Sequence, residues 1–341
     1  MTIVAEKYDY VIGIDTHART HTYAIINTHT GTREACQVFP TSPASMKRAL
    51  AWITKRTSGT LLAAVEGTRS YGATITHALV DAGIAVVEVK PPRKQARAGV
   101  GKTDEIDATA AAMSILPQDI ERLLTPRAEG TRSALNVLVA ARERIDAERT
   151  RNRNALNALV REIYLGVDAR KPLTDKQVKE VSAWRERPTD SVAQRFARAE
   201  AIRLATAVLD ADKLLAQNKA QMAPGLIAEF GYGPVTVAWI LIAYSHTGRV
   251  HSEAAFASLA GVAPLQASSG NTVRHRLNRH GDRMLNQAVD VIAKVRMRTD
   301  PTTKKYVQKR TAEGLSYREI KRILKRYILR KVFRQLQVLM P

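Results

Sequence analysis

Residues 8–40 read YDYVIGIDTHARTHTYAIINTHTGTREACQVFP, and this stretch decides the fold of the N-terminal part. Tyr8–Asp15 and His21–Asn27 gather β-branched and aromatic residues on either side of a short polar turn, so each predicts a strand. The turn Thr28-His29-Thr30-Gly31 leads into a third strand over Arg33–Phe39. Ser42-Pro43 predicts a helix start, because serine caps free N–H groups and proline suits the first turn; Met46, Leu50 and Ile53 then recur at helical spacing. Leu61–Val65 predicts a buried strand ending at Glu66-Gly67, and Tyr71–Ala82 a helix stopped by Gly83. Ile84–Val89 predicts another buried strand, ended by Pro91-Pro92, and Asp104–Leu116 an Ala-rich helix closed by Pro117.

Three successive strands followed by alternating helices and strands is the order of a ribonuclease-H-like (RuvC-like) domain, here over residues 1–125. The chain then changes character. Residues 126–222 predict long helices, from about Glu129 to Leu165 and from about Ser191 to Met222. The stripe Leu135, Leu138, Ile145, Leu156, Leu159 and Ile163 is interrupted by Arg149 and Asn152. Charged outer faces suit either a coiled-coil arm or an ordinary helical bundle. Residues 223–341 predict a third, mostly helical domain: Val235–Tyr244, Ser252–Ala260, a loop over Gly261–Asn271, and helices near Asp282–Arg298 and Ser316–Leu339. The glycines and prolines of Pro224-Gly225 and Phe230–Pro234 fit a helix-hairpin-helix that holds a phosphate, or a plain helix turn. The fold class is therefore α/β followed by all-α.

Charge narrows the partners. The chain carries 53 Lys+Arg against 32 Asp+Glu, a formal +21 over 341 residues. Residues 1–120 hold 13 basic and 11 acidic side chains, whereas residues 271–341 hold 19 and 5. So uneven an excess is the footprint of a polyanion, because Lys and Arg displace condensed counterions from phosphate backbones. Acidic membranes fit less well, since no Trp/Phe-rich face accompanies the basic stretches. No apolar run reaches the ~20 residues of a membrane span, and the N-terminus lacks the pattern of a signal peptide. The single cysteine, Cys36, excludes an internal disulfide framework and reads as a small packing residue. These features predict a cytoplasmic protein.

Four acids stand out by position. Asp15 ends the first strand and Glu66 follows the fourth, although strands disfavour acids. Asp104 and Asp107 open the last helix of the domain three residues apart, on one helical face. Each has an ordinary alternative: a first-turn acid favoured by the helix dipole, a turn cap, a loop residue. Together they would crowd negative charge into one place, which a hard divalent cation relieves. Mg²⁺, or Mn²⁺ in its stead, can orient and activate a phosphodiester displacement. Other signals fade. Gly99-Val100-Gly101-Lys102-Thr103 ends like a P-loop, but Ala96 stands where its first glycine belongs. His17 and His21 span a turn and a strand, so they read as surface or near-site polar residues.

The fragments Gly13-Ile14-Asp15-Thr16-His17, Val65-Glu66-Gly67-Thr68 and Lys102-Thr103-Asp104-Glu105-Ile106-Asp107-Ala108 resemble the Asp-Glu-Asp-Asp signature of the insertion sequence 110 group of transposases, relatives of the pilin-gene inverting recombinases. Further on, Phe256 to Pro264, Ser268-Ser269-Gly270 and Asn278 to Leu285 resemble the family's Gly-Leu-x-Pro, Ser-Gly and Lys/Arg-x-Gly-Asn-x-x-Leu-Arg patterns in the same order. Asp282 replaces the usual Asn, and Asn286 stands where an Arg often follows. The resemblance implies that Asp15, Glu66, Asp104 and Asp107 bind metal and that Ser269, directly before Gly270, is the catalytic nucleophile, with Ser268 the lesser candidate for that role. It also implies donor and target DNA, a guide (bridge) RNA, and a dimer or tetramer whose active sites combine acids and serine from different subunits. Arg274, Arg276, Arg279 and Arg283 follow the serine closely and are candidate nucleic-acid contacts. Two rivals remain: a hydrolytic nuclease of junction-resolvase type, and a nucleic-acid-binding protein without catalysis.

Overall fold

The computed structural model describes residues 2–90, 103–127, 130–221, 230–266, 275–276, 278 and 281–339. The chain divides into two compact units, residues 1–128 with 248–251, and residues 129–247 with 252–341.

The first unit is built on a five-stranded sheet of order β3-β2-β1-β4-β5. Its strands are β1 (Tyr10–Thr16), β2 (Thr20–Asn27), β3 (Arg33–Pro40), β4 (Leu61–Glu66) and β5 (Ala85–Val89). The first three pair antiparallel, and β1, β4 and β5 pair parallel. Ile12, Ile14, Tyr23, Ile25, Ala63 and Val65 face Met46, Ala49 and Ile53 of α2 (Pro43–Arg56) and Ile75 and Leu79 of α3 (Ala73–Asp81). The alternate residues Val11, Ile26, Leu62, Ala64 and Val87 face Ala111 and Ala112 of α4 (Asp104–Met113). With helices on both faces the central strands are buried on both sides, which is why they read as nearly unbroken apolar runs. The short α1 (Val4–Lys7), which no periodicity announced, inserts Val4 into the α4 side of the core.

Gly13 fixes how closely α4 lies on β1. A Cβ added there would sit 1.9 Å from the carbonyl oxygen of Ala108 and 3.0 Å from Cβ of Ala112. The obstacle is backbone, so no side chain can swing aside. Gly13→Ala is therefore expected to destabilise the unit by about 3 kcal/mol, the upper end of overpacking costs, and to lift the first turn of α4. Denaturant unfolding checks it; an unchanged midpoint would mean that helix and strand are not in contact.

One late segment completes this unit. Arg249, in Gly248–His251, donates from Nη2 to Oε2 of Glu88 on β5 at 2.9 Å, and from Nη1 to the carbonyl of Thr125.

The second unit is helical. Here α5 (Thr131–Glu162) packs along α7 (Val192–Gln221), with Leu156, Val160, Ala201, Leu204, Ala205 and Val208 buried between them and α6 (Asp175–Ser182). Arg149, which breaks the apolar stripe of α5, forms an ion pair with Asp212 of α7, so the interruption is itself an interhelical contact. Next, α8 (Pro234–Tyr244) is buried on nearly every side and packs on α10 (Arg283–Thr299). The preceding part of the expected helix-hairpin-helix, residues 222–229, lies outside the described residues. Tyr244 packs edge-on against Phe256 of α9 (Glu253–Leu259) and Phe333 of α12 (Tyr317–Leu339), with ring centroids 6.0 and 6.2 Å away. The expected loop after Gly261 includes a short strand, β6 (Leu265–Gln266), paired with β7 (His275–Arg276).

In the second unit two helices escaped the sequence reading: α6, with only Val178 and Val181 buried, and α11 (Pro301–Ala312), almost wholly polar. Asp300-Pro301 was the usable signal for α11, since Asp300 caps it by accepting from the N–H groups of Thr302 and Thr303. No helix among the described residues is long and apolar enough to cross a membrane.

Candidate active site

The four expected acids all belong to the first unit. Ile14 pairs in register with Val65 across the parallel strands β1 and β4, so Asp15 and Glu66 stand one step further at the same end and on the same face. That face is the one α4 covers. Thr103 caps α4 by accepting from the N–H of Ile106, which fixes where the helix begins. Asp104 and Asp107 then occupy its first turn, and Asp107 lies on the buried side with Ala108, Ala111 and Ala112.

The closest group is Asp15, His17 and Asp104. Nε2 of His17 lies 3.1 Å from Oδ2 of Asp15 and 3.4 Å from Oδ1 of Asp104; with the proton on Nε2 it donates between two carboxylates. One ligand atom from each of these three residues falls within 4.8 Å of the others, an arrangement that could hold a divalent ion. Glu66, half-buried, and Asp107, 6% exposed, are outside that trio. Burial raises the Asp15 carboxyl above its ordinary range; His17 opposes this, and the charges of Asp104 and Asp107 reinforce it. Asp107 thus acts on Asp15 electrostatically. The hydroxyl of Thr16 donates to the carbonyl of Glu66 at 2.8 Å and ties the two strand ends together.

His17 is the functional candidate that the sequence reading undervalued. The usable signal was period-two alternation, which carries position 17 to the face of position 15. His21 is corrected more sharply. It is 1% exposed, on the opposite sheet face beside Tyr23, with ring centroids 6.3 Å apart, and burial lowers its pKa.

Ser268, Ser269, Arg274 and Arg279 lie outside the described residues, and Arg276 is described as a backbone position in β7 only. Arg283 is exposed at the start of α10. The flanks of the serine segment are firmly built. Gly281 lies so close to Gly261 that a Cβ on it would approach the Gly261 nitrogen to 2.3 Å. Oδ1 of Asp282 accepts from the N–H groups of Met284 and Leu285, at 3.0 Å each. Asn caps helices as well as Asp does, so this departure from the family pattern keeps the local structure. Nδ2 of Asn286 donates to the carbonyl of Ala260 at 2.6 Å, a second tie across the same base.

Residues 12–165 match the DEDD family of IS110 elements, described as transposase, and residues 227–308 match the family described as Transposase IS116/IS110/IS902. No curated protein matches the chain. The first match spans β1 to the end of α5 and so includes all four acids; the second begins before α8, ends in α11 and includes Ser269. Transposases act on DNA, and a carboxylate–imidazole cluster able to hold a divalent ion suits such an enzyme. Two matches in family order, together spanning more than half of the sequence, place this chain in the IS110 family of insertion-sequence transposases.

Proposed function

We propose that the chain cuts and rejoins DNA through a phosphoserine link at Ser269, with Asp15, Glu66, Asp104 and Asp107 as the ligands of Mg²⁺. The observation that carries this reading is that Asp15, beside Glu66 at one end of neighbouring strands, clusters with His17 and with Asp104 of the acidic first turn of α4. The donors fit the ion: carboxylate oxygens suit Mg²⁺, and the imidazole of His17 makes Mn²⁺ an alternative. When bound, such an ion supplies positive charge that favours deprotonation of a hydroxyl and stabilises charge on phosphate oxygens. The hydroxyl oxygen of Ser269 attacks phosphorus, losing its proton as the P–O bond to the departing strand breaks; the departing oxygen takes up a proton. Attack by another strand's terminal hydroxyl then forms the new phosphodiester and releases serine, so bond energy is kept without ATP.

The strand order β3-β2-β1-β4-β5 supports a ribonuclease-H-like first domain over residues 1–125. We further read α5 and α7 as an arm over residues 126–222, with residues 223–341 as the domain that carries the serine. The wide separation of Ser269 from the acids in sequence supports a composite site in a dimer or tetramer, and the polyanion signature fits a guide RNA as well as DNA. Denaturing electrophoresis of wild-type protein incubated with labelled element ends, target DNA and the RNA flanking the gene tests the reading. A protein–DNA adduct that vanishes on chelation of divalent ions is expected. Cleaved DNA with no adduct at any time would replace it with metal-dependent hydrolysis.

A further inference from the structure

A cleft of about 1180 Å³ opens in the second unit between α10, α12, the segment Gly261–Pro264, and Asn278 and Gly281. Seven cationic side chains line it against two carboxylates, Asp290 and Glu319. One of those carboxylates is already committed. Asp290 gathers Lys294, Lys321 and Lys325 at 2.7, 3.1 and 3.4 Å, and the buried Lys325 also donates to Oδ1 of Asn286 at 2.8 Å. This lysine knot braces α12 on α10. Arg330 is likewise engaged, with Glu253 at 3.0 Å, and Arg326 donates to the Glu253 carbonyl.

Arg283, Arg318 and Arg322 differ: they line the cleft, are exposed, and make no ion pair within 4.0 Å among the described residues. Arg318, Arg322, Arg326 and Arg330 follow at intervals of four on α12, so they form a row with one cation about every 6 Å of helix axis. Glu319 partly offsets the charge of Arg322, but holding Arg318 and Arg322 beside one another still costs electrostatic energy in the free protein, a cost that an anionic ligand removes. A row suits a linear polyanion better than a compact anion, and guanidinium groups bind phosphate in two-pronged fashion.

We propose that this cleft is a binding track for a phosphodiester backbone, with Arg318 and Arg322 as direct phosphate contacts and Arg283, at the start of α10, as a third. It rests on the transposase reading only for the identity of the polyanion. The bound chain is duplex DNA or structured RNA, both of which offer the same phosphates.

The test is fluorescence anisotropy of the full chain with a DNA duplex of unrelated sequence and with an RNA hairpin, from 50 to 400 mM salt. The double variant R318Q/R322Q is expected to bind on the order of 50-fold more weakly near 0.1 M salt. Its slope of log affinity against log salt should fall by about 1.8 on duplex DNA, as for two lost phosphate contacts. R318K/R322K should keep the wild-type slope. K304Q/K309Q, which removes the same charge from exposed positions of α11, should change affinity by less than threefold. A change confined to DNA, confined to RNA, or seen in both assigns the occupant and supports the track. Equal losses in R318Q/R322Q and K304Q/K309Q, or an unchanged slope in the former, would overturn it. Circular dichroism excludes misfolding as the cause. Binding is read without divalent ions, so failure of the catalytic reading would leave this result intact.

Discussion

Asp15→Asn is expected to slow DNA strand cleavage by at least ~10³-fold, about 4 kcal/mol of transition-state stabilisation, without loss of thermal stability. Asparagine keeps the shape of the side chain and one oxygen but removes the charge that a divalent ion requires. The stability half of this expectation comes from the position of Asp15. Burial first, then Asp104 and Asp107, raise its carboxyl pKa in the folded chain, with His17 opposing them. A carboxyl with a higher pKa folded than unfolded holds its proton more tightly in the fold. Its ionisation therefore costs stability above the folded pKa, and that cost fades as pH drops below it. The asparagine variant carries no such cost. Near neutral pH and without divalent ions it should melt at or above the wild-type temperature, whereas added Mg²⁺ should raise the wild type alone. A purely structural Asp15 would give the reverse pattern: a variant that melts lower, and a wild type indifferent to Mg²⁺.

Ser269→Ala should abolish the covalent adduct and depress strand cleavage by a comparable ~10³-fold or more, since it removes the attacking hydroxyl. Its diagnostic value lies in what stays. The acids belong to the first unit and Ser269 to the second, so the Mg²⁺-dependent rise in melting temperature should survive, and duplex affinity should remain within about twofold. Asp15→Asn loses adduct and metal response together; Ser269→Ala loses the adduct alone. Cleavage that persists in Ser269→Ala at wild-type rate, with no adduct in either protein, would mean that water attacks the phosphodiester. Adduct retained in Ser269→Ala but lost in the double replacement with Ser268→Ala would move the nucleophile by one residue.

Much of the first unit was legible in the sequence because its elements obey strong local rules. The runs around Ile12, Ile25 and Ala63 are apolar on both faces, and Ser42-Pro43 and Thr103 cap helices as their chemistry dictates. The acids could be read because carboxylates interrupt those runs at strand ends. His17 was harder: it follows the last residue of β1, where alternation still aims the side chain but no apolar neighbour marks it. In the second unit the difficulty was of another kind. Helices such as α6 and α11 bury too little to leave a periodic stripe, and Arg149 looks like a break until Asp212 arrives from another helix. The basic run of α12 was visible as composition, but only folding shows that Lys321 and Lys325 are spent on Asp290 and Arg330 on Glu253.

The Arg249–Glu88 contact bears on how this protein emerges from the ribosome. The partners lie 161 residues apart, so at about 5–20 residues per second Glu88 waits roughly 8–30 s for its guanidinium. During that interval the nascent first unit has all its strands but lacks the bridge that joins β5 to the Thr125 carbonyl. The acid-bearing unit therefore reaches its finished form only after most of the second unit has been translated. A message truncated before codon 249 would yield a first unit without that clasp, loosened at β5 and open to proteolysis.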